Sequence, residues 1–228
     1  MTKFIPAGDL KRHFNVTGHF YTLSVAGSEP LECRSVLEIM HKELDPPGEA
    51  DAVFVMMNPG SSQPLVGTQH DIDSKQISNF KATTVPTKPD TTQYQVMRVM
   101  YCFGWKYVRV LNLSDLREAK SPQFAKRLKQ LEPLALGGVH SVFAPQRSAE
   151  LKRQLQRRAE GPVICAWGVG DFLEPLIQQA ETALAGEPCV TGLPKPDQPG
   201  RYFHPLPTLQ RDKVKWVSEM VKVLKARV

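Results

Sequence analysis

The chain has 228 residues, 41% of them hydrophobic and 23% charged, a composition typical of one soluble globular domain. It contains no apolar run near the roughly 20 residues of a membrane-spanning helix, and its N-terminus lacks the apolar core of a secretory signal. We therefore expect a cytoplasmic protein with no membrane association. The net charge of +6 favours a polyanionic partner such as nucleic acid, although solubility alone also explains mild basicity.

The four cysteines carry no sign of a cofactor site. Cys33, Cys102, Cys165 and Cys189 are far apart and form no CxxC pair, and three of them lie in apolar surroundings. Free cysteines in such surroundings are typically small core residues. We therefore expect a reducing compartment and neither a metal site nor any other cofactor.

The first half of the chain combines weak periodicity with one strong strand signal. Residues 19–25, HFYTLSV, alternate weakly and predict an edge strand, whereas residues 31–44 predict a helix with one apolar stripe. That stripe comprises Cys33, Val36, Leu37, Met40 and Leu44. Residues 52–57, AVFVMM, predict a buried strand. Residues 60–90 have no periodicity and are typical of a long functional loop.

The second half of the chain alternates between strands and helices. The patterns predict strands at 107–113, 139–144, 162–168 and 188–193, and helices at 91–104, 121–131, 148–159, 171–184 and 211–228. Ser121 at the N-cap and Pro122 at the first helical position mark the start of the helix at 121–131.

Apolar strands that alternate with helices indicate an α/β fold with helices on both faces of a parallel sheet. We expect three α/β/α layers around a central, mostly parallel four-stranded sheet. A single domain is expected over residues 1–228, in which 1–50 form an N-terminal strand and helix extension and 52–226 form the core.

Polar side chains follow the carboxyl ends of the predicted parallel strands, where open α/β sheets place their binding sites. Asn58 follows the first core strand, Asn112 ends the second, and Trp167 with Gly168 ends a third. His204 lies in a polar cluster before the last helix. The sequence therefore predicts a site built from these residues.

Each of the two asparagines has a structural and a functional interpretation. Asn58 opens an Asn-Pro-Gly turn and is either an ordinary Asx-turn residue or a rigidly held amide that orients a water molecule. Asn112 either caps the following turn or reads the hydrogen-bonding edge of a base, because an amide offers both a donor and an acceptor.

His204 also has two interpretations. It is either a structural histidine or a hydrogen-bond donor to a leaving group that becomes negative in the transition state. Pro205 and Pro207 stiffen the loop FHPLP around it, as a catalytic donor requires. Leu206 and Leu209 are apolar residues in a polar turn and are candidates for a wedge that fills the gap left in a duplex.

Taken in order, four motifs resemble those of the uracil-DNA glycosylase superfamily. They are MMNPGSS at 56–62, VLNLSDL at 110–116, ICAWGVGDF at 164–172 and FHPLPTL at 203–209. From about Val53 to Pro207 the chain is also similar to a bacterial and phage domain family of unknown function, which shares elements such as DTTQ at 90–93.

The resemblance implies that Asn58 and His204 are catalytic and that Asn112 reads the extruded base. It also implies an aromatic residue that stacks on the base; no motif identifies this residue, and Phe80 is the candidate. The implied substrate contacts are Met57, Pro59, Gly60, Phe80, Asn112 and Trp167. The implied DNA contacts are Ser61, Ser62, Leu206, Leu209 and Arg211. Leu206 stands where the superfamily usually has serine, which predicts a pocket of different shape.

These inferences predict a monomeric, monofunctional DNA glycosylase that hydrolyses the N-glycosidic bond of a flipped pyrimidine in duplex or single-stranded DNA. A larger pocket fits a hypermodified cytosine of phage DNA, as in antiviral defence, and excision of uracil or a mismatched base in repair is the alternative. Two other classes stay open. One is an N-glycosidase that acts on small nucleosides or nucleotides, and the other is a catalytically silent nucleic-acid-binding module.

Overall fold

Nine strands form one mixed sheet within the residues that this computed structural model describes, 4–44, 48–67, 70–134 and 138–227. Their bounds are β1 Phe14–Ser24, β2 Leu31–His41, β3 Ala52–Met56, β4 Gln63–Pro64, β5 Asp71–Asp73, β6 Val85–Lys88, β7 Tyr107–Asn112, β8 Val163–Cys165 and β9 Val190–Gly192. Neighbouring strands follow the order β4-β6-β1-β2-β7-β3-β8-β9, and β5 pairs with β1.

The parallel part of the sheet runs from β7 through β3 and β8 to β9. Strand β3 is buried along its whole length because other strands pair with both its edges and helices cover both its faces, which explains its continuous apolar run. The predicted α/β class with a mostly parallel centre is confirmed. The predicted total of four strands is wrong, because the sheet continues beyond β7 through antiparallel β2 and β1.

Helices cover both faces of the sheet and give the predicted layers. The helices on one face are α3 Ser121–Leu131, α4 Ser148–Gln154 and α5 Glu174–Leu184, and those on the other are α1 Ala7–His13, α2 Thr91–Phe103 and α6 Gln210–Lys225. Each face has its own apolar core, with Phe124 fully buried in the first and Met97 and Met100 fully buried in the second.

The sequence at the two ends of α2 fixes where this helix begins and ends. The Asp90 side chain accepts hydrogen bonds from the N–H groups of Thr92 and Gln93, and the Gln93 side chain accepts one from the Asp90 N–H, which completes a capping box. Gly104 ends the helix with a φ of 65°, in the left-handed region that glycine adopts without strain. The first turn of α2 is thereby anchored beside the carboxyl edge of the parallel strands.

The helix predicted for residues 31–44 is wrong, because residues 31–41 form strand β2. β2 pairs with β1 in a register that opposes Val36 to His19 but Arg34 to Phe20, so that Ser35 is an extra residue in a β-bulge. The bulge brings Cys33 and Val36 to the same core although they are three residues apart. An i, i+3 spacing produced by a bulged strand looks like helical periodicity in the sequence.

Three other predictions about elements need correction. β1 is not an edge strand, since it pairs with both β2 and β6. Residues 139–144 are not a strand but consecutive turns, in which backbone bonds such as Ala144 N–H to Ser141 O close locally. Helix α4 ends at Gln154, five residues before the predicted end at 159.

The N-cap of α3 is Lys120 rather than the predicted Ser121, and it makes no side-chain cap hydrogen bond. The unpatterned segment 60–90 contains β4, β5, β6 and a short 3₁₀ helix at Ser74–Asn79. Within the described ranges, no helix is long and apolar enough to cross a membrane.

Candidate active site

A cavity of 440 Å³ opens at the carboxyl edge of β3, β7 and β8. Its volume lies in the range of about 300–1,000 Å³ that is usual for small-molecule sites. All five residues that the sequence assigned to one site are among those that line it: Asn58, Asn112, Trp167, Gly168 and His204. These five residues therefore lie around one cavity, and their functional roles stay predictions.

The side chain of Asn58 is held by its amide nitrogen. Nδ2 donates to the backbone oxygens of Leu116 (3.2 Å) and Glu118 (2.7 Å) in the loop that follows β7. This loop is itself bonded to the end of β3, since the N–H of Leu113 donates to the oxygen of Met56. The amide oxygen of Asn58 accepts no hydrogen bond from any described residue, so it is available to accept one from a molecule in the cavity.

The turn that carries Asn58 requires its glycine. Gly60 has a φ of +63°, and a Cβ at this position would lie 3.2 Å from Oδ2 of Asp90. Glycine therefore allows both the left-handed backbone and the close approach of the turn to the first residue of α2's capping box. Pro59 is buried and Met57 is partly buried, and both line the cavity as predicted.

Asn112 lies at the floor of the cavity and is 0% exposed. In the amide orientation that satisfies both of its ends, Nδ2 donates to the backbone oxygen of Asn58 (3.1 Å) and Oδ1 accepts from Nη2 of Arg34 (3.3 Å). One Nδ2 hydrogen stays unpaired in this arrangement, and the role of Asn112 in reading a base stays a prediction.

Arg34 is the main charged group at the floor, and the sequence analysis did not identify it. It is 2% exposed, and its Nε and Nη1 have no hydrogen-bond partner among the described residues. Burial lowers the pKa of Arg34 to about 10, which leaves the guanidinium protonated at neutral pH. The bulge at Ser35 sets the direction of this side chain, a frequent role of bulges beside active sites.

Asp90 is the second charged group that the cavity reveals. Its Oδ1 accepts from the N–H groups of Thr92 (2.9 Å) and Gln93 (3.1 Å), whereas Oδ2 accepts from no described residue. Burial raises the pKa of Asp90 above its usual value, and the nearby Arg34 opposes that rise. Across the described part of the chain, no salt bridge within 4.0 Å joins Arg34 to a carboxylate.

The loop that carries His204 is anchored at several points. The oxygen of Pro205 accepts from Nε2 of Gln95 (2.9 Å) in α2, and the oxygen of Phe203 accepts from Nε1 of Trp216 (2.9 Å) in α6. Gln95 is 1% exposed, so this anchor is itself buried. The loop is thus fixed to two helices in addition to the stiffening by its prolines.

The hydrogen bonds of His204 define its tautomer. The N–H of Leu206 donates to Nδ1 (3.2 Å), so the proton of the neutral ring is on Nε2. Burial lowers the pKa of His204 to about 4, and the ring is therefore neutral at physiological pH. A neutral imidazole whose Nε2–H is not bonded to any described residue can donate to a group that gains negative charge.

The aromatic walls of the cavity differ from the prediction. Trp167 is 1% exposed and its indole N–H donates to the oxygen of Gly200 (2.9 Å), so it is a rigid wall. Phe80 is not among the lining residues, because its ring stacks on His19 (centroids 5.1 Å apart) and packs at a tilt against Tyr21 (5.7 Å). The prediction that Phe80 stacks on a base bound in the cavity is therefore wrong. Phe172 lines the cavity and replaces it as the candidate.

The predicted DNA contacts divide into accessible and inaccessible residues. Ser61 and Arg211 are exposed, and Leu209 is 48% exposed, as a surface wedge requires. Leu206 is partly buried and lines the cavity. Ser62 is 0% exposed, so the prediction that it contacts DNA is wrong for its side chain.

Arg34, Asp90 and Phe172 are among the cavity-lining residues that sequence reasoning missed. Arg34 lay in a segment assigned to a helix. Asp90 belonged to the noted motif DTTQ, and Phe172 to the noted motif ICAWGVGDF, so both were quoted without a role. Comparisons of the chain with protein-family models, curated proteins and solved structures returned no match.

Proposed function

We propose that this protein is a DNA glycosylase that hydrolyses the N-glycosidic bond of an extruded pyrimidine, and that its fold is of the uracil-DNA glycosylase type. The observation that carries the proposal is the pairing of Asn58 and His204 in one cavity. The amide nitrogen of Asn58 is fixed by two hydrogen bonds, and no described residue donates to its oxygen. His204 is a neutral ring whose Nε2–H has no acceptor among the described residues.

These two side chains match the two requirements of glycosidic cleavage. As the bond to the base breaks, the sugar gains oxocarbenium character and the base gains negative charge. Nε2–H of His204 donates to the departing base and stabilises that charge. The oxygen of Asn58 accepts a hydrogen bond from a water molecule and directs the oxygen of that water to the anomeric carbon. The water forms the new C–O bond, its proton passes to solvent, and the base leaves with the electron pair of the C–N bond.

The surroundings of the cavity support DNA as the substrate. Lys120 and Arg211 are exposed, and Lys120 precedes Ser121, which lines the cavity. Both side chains can contact phosphates, in keeping with the net charge of +6. Exposed Leu209 can occupy the gap that an extruded nucleotide leaves. Extrusion costs a few kcal/mol in lost stacking, which these contacts offset.

A base-release assay tests the proposal. The purified protein is incubated with duplex and single-stranded DNA that carries uracil, mismatched thymine, or hydroxymethylated or glucosylated cytosine, and alkali then cleaves the abasic sites. We expect strand cleavage on at least one substrate and its loss in the Asn58→Ala variant. The matched control is Asn15→Ala, the same substitution at an exposed asparagine of β1 that does not line the cavity. Absence of cleavage on every substrate overturns the proposal.

A further inference from the structure

The floor of the cavity holds a buried cation with unpaired donors. Arg34 is 2% exposed, and Nε and Nη1 have no partner among the described residues, while Nη2 contacts Asn112. A buried donor without a partner loses its hydration and gains nothing in return, and the loss is larger for a charged group. Such a side chain at the end of a cavity is suited to a ligand that brings hydrogen-bond acceptors.

The carboxylate of Asp90 lines the same cavity and needs hydrogen-bond donors, whereas Arg34 needs acceptors. Oδ2 of Asp90 accepts no hydrogen bond from the described residues and faces the turn at Gly60. Arg34 and Asp90 do not form a salt bridge within 4.0 Å with each other. Asp90 disfavours an anionic ligand and Arg34 disfavours a cationic one. The pair is therefore complementary to a neutral group that carries acceptors next to a donor.

The two classes of pyrimidine present different edges to such a pair. Cytosine carries two neighbouring acceptors, O2 and N3, and then an exocyclic amino group, from which aspartate can accept. Uracil and thymine carry one ring N–H between two carbonyl oxygens, so a carboxylate that accepts from this N–H also lies against the carbonyls. The arrangement of one guanidinium and one carboxylate favours the cytosine edge.

We propose that Arg34 and Asp90 select a pyrimidine of the cytosine class, with Arg34 donating to its ring acceptors and Asp90 accepting from its exocyclic amino group. This inference rests on the proposed function for its substrate but concerns recognition alone. It assigns the determinant of base specificity to residues on β2 and at the start of α2.

The test uses Asp90→Asn, which replaces one acceptor oxygen of the carboxylate by an NH₂ group that donates. The retained oxygen still caps α2, while the oxygen that faces the cavity becomes an NH₂ donor. The probes are identical duplexes with 5-hydroxymethylcytosine or 5-hydroxymethyluracil at one position. We expect the wild-type protein to release the cytosine derivative at least about tenfold faster, and Asp90→Asn to reduce that ratio at least about tenfold. Asp73→Asn is the matched control, because Asp73 caps the helix at Ser74–Asn79 outside the cavity.

A binding measurement separates this inference from the proposed function. Ligand-observed NMR with the two free bases reports recognition without any cleavage. Release of both bases at equal rates, or an unchanged ratio in a folded Asp90→Asn protein, overturns the inference and leaves the glycosylase proposal intact. If no duplex is cleaved, the glycosylase proposal fails. The inference then holds when the cytosine derivative binds better and Asp90→Asn removes that preference, and it is overturned when the free bases bind equally or not at all.

Discussion

Replacement of Asn58 by aspartate distinguishes two roles for this side chain: an amide that orients the water molecule, and a general base that takes a proton from it. Nδ2 of Asn58 donates to the backbone oxygens of Leu116 (3.2 Å) and Glu118 (2.7 Å). A carboxylate cannot donate, so the variant loses both bonds and places a negative oxygen against two carbonyl oxygens. Each lost bond that leaves a partly buried group unpaired costs about 1–2 kcal/mol, so we expect a destabilisation of about 2–4 kcal/mol at pH 8.

The pH dependence of this destabilisation identifies its cause. The two carbonyl oxygens disfavour the charged form and raise the folded-state pKa of the introduced carboxyl above its unfolded value. The folded state then binds the proton more tightly, so the destabilisation relative to the wild-type protein is greatest above that folded-state pKa and decreases as the pH is lowered. The Asn58→Ala variant has no titratable group at this position, so its loss of unfolding free energy relative to the wild-type protein should be the same at pH 8 and pH 5.

Urea unfolding followed by tryptophan fluorescence at pH 8 and pH 5 measures these differences. Base release should be slower in Asn58→Asp than in the wild-type protein, although a carboxylate is the stronger base, because repulsion displaces it from the position that orients the water. A variant that is as stable as the wild-type protein at pH 8 and releases base faster would refute the reasoning.

Three more predictions concern histidines and a buried ion pair. In His204→Gln the rate of base release should fall about 10²–10³-fold while the Kd for DNA, measured by fluorescence anisotropy, stays unchanged; a matching loss of affinity would contradict the catalytic role. Burial lowers the pKa of His19, His140 and His204 to about 4. Below about pH 6.5 each of these histidines therefore binds more protons in the unfolded state than in the folded state. Lowering the pH from 7 to 5 should reduce the free energy of unfolding by about 2 kcal/mol for each histidine. Chemical denaturation at both pH values checks this, and an unchanged free energy would be incompatible with buried neutral rings. Arg147 is 0% exposed and pairs with two buried carboxylates, so Arg147→Met should cost about 3–5 kcal/mol. Replacement of the half-exposed Arg158, which pairs with Asp51, should cost about 1 kcal/mol or less, and equal costs in urea unfolding would contradict the prediction.

The parallel half of the fold could be predicted because its local signals agree with its packing. Strand β3 is covered on both faces and reads as a continuous apolar run, and α2 carries its own capping residues at Asp90 and Gly104. The N-terminal half could not be predicted in this way. The bulge at Ser35 breaks the alternation of β2, and a strand buried on both faces shows no polar side.

The site residues that could be predicted from the sequence are polar residues that directly follow a recognisable strand or lie in a proline-stiffened turn. Asn58 and His204 are polar residues in rigid turns at the carboxyl edge, and both line the cavity. Phe80 was assigned from residue type alone, and long-range stacking on His19 places it elsewhere. Arg34 was hidden because its role depends on a strand pairing that the sequence pattern does not show.

The single-turnover rate of base release tests the central claim most directly. With enzyme in excess over the best substrate of the base-release assay, mass spectrometry of the free base measures the chemical step for the wild-type, Asn58→Ala and Asn15→Ala proteins. The predicted result is a rate for Asn58→Ala that is lower by about 100-fold or more, with unchanged DNA affinity, and a wild-type rate for Asn15→Ala. Equal rates for the wild-type and Asn58→Ala proteins would contradict the claim that Asn58 orients the attacking water.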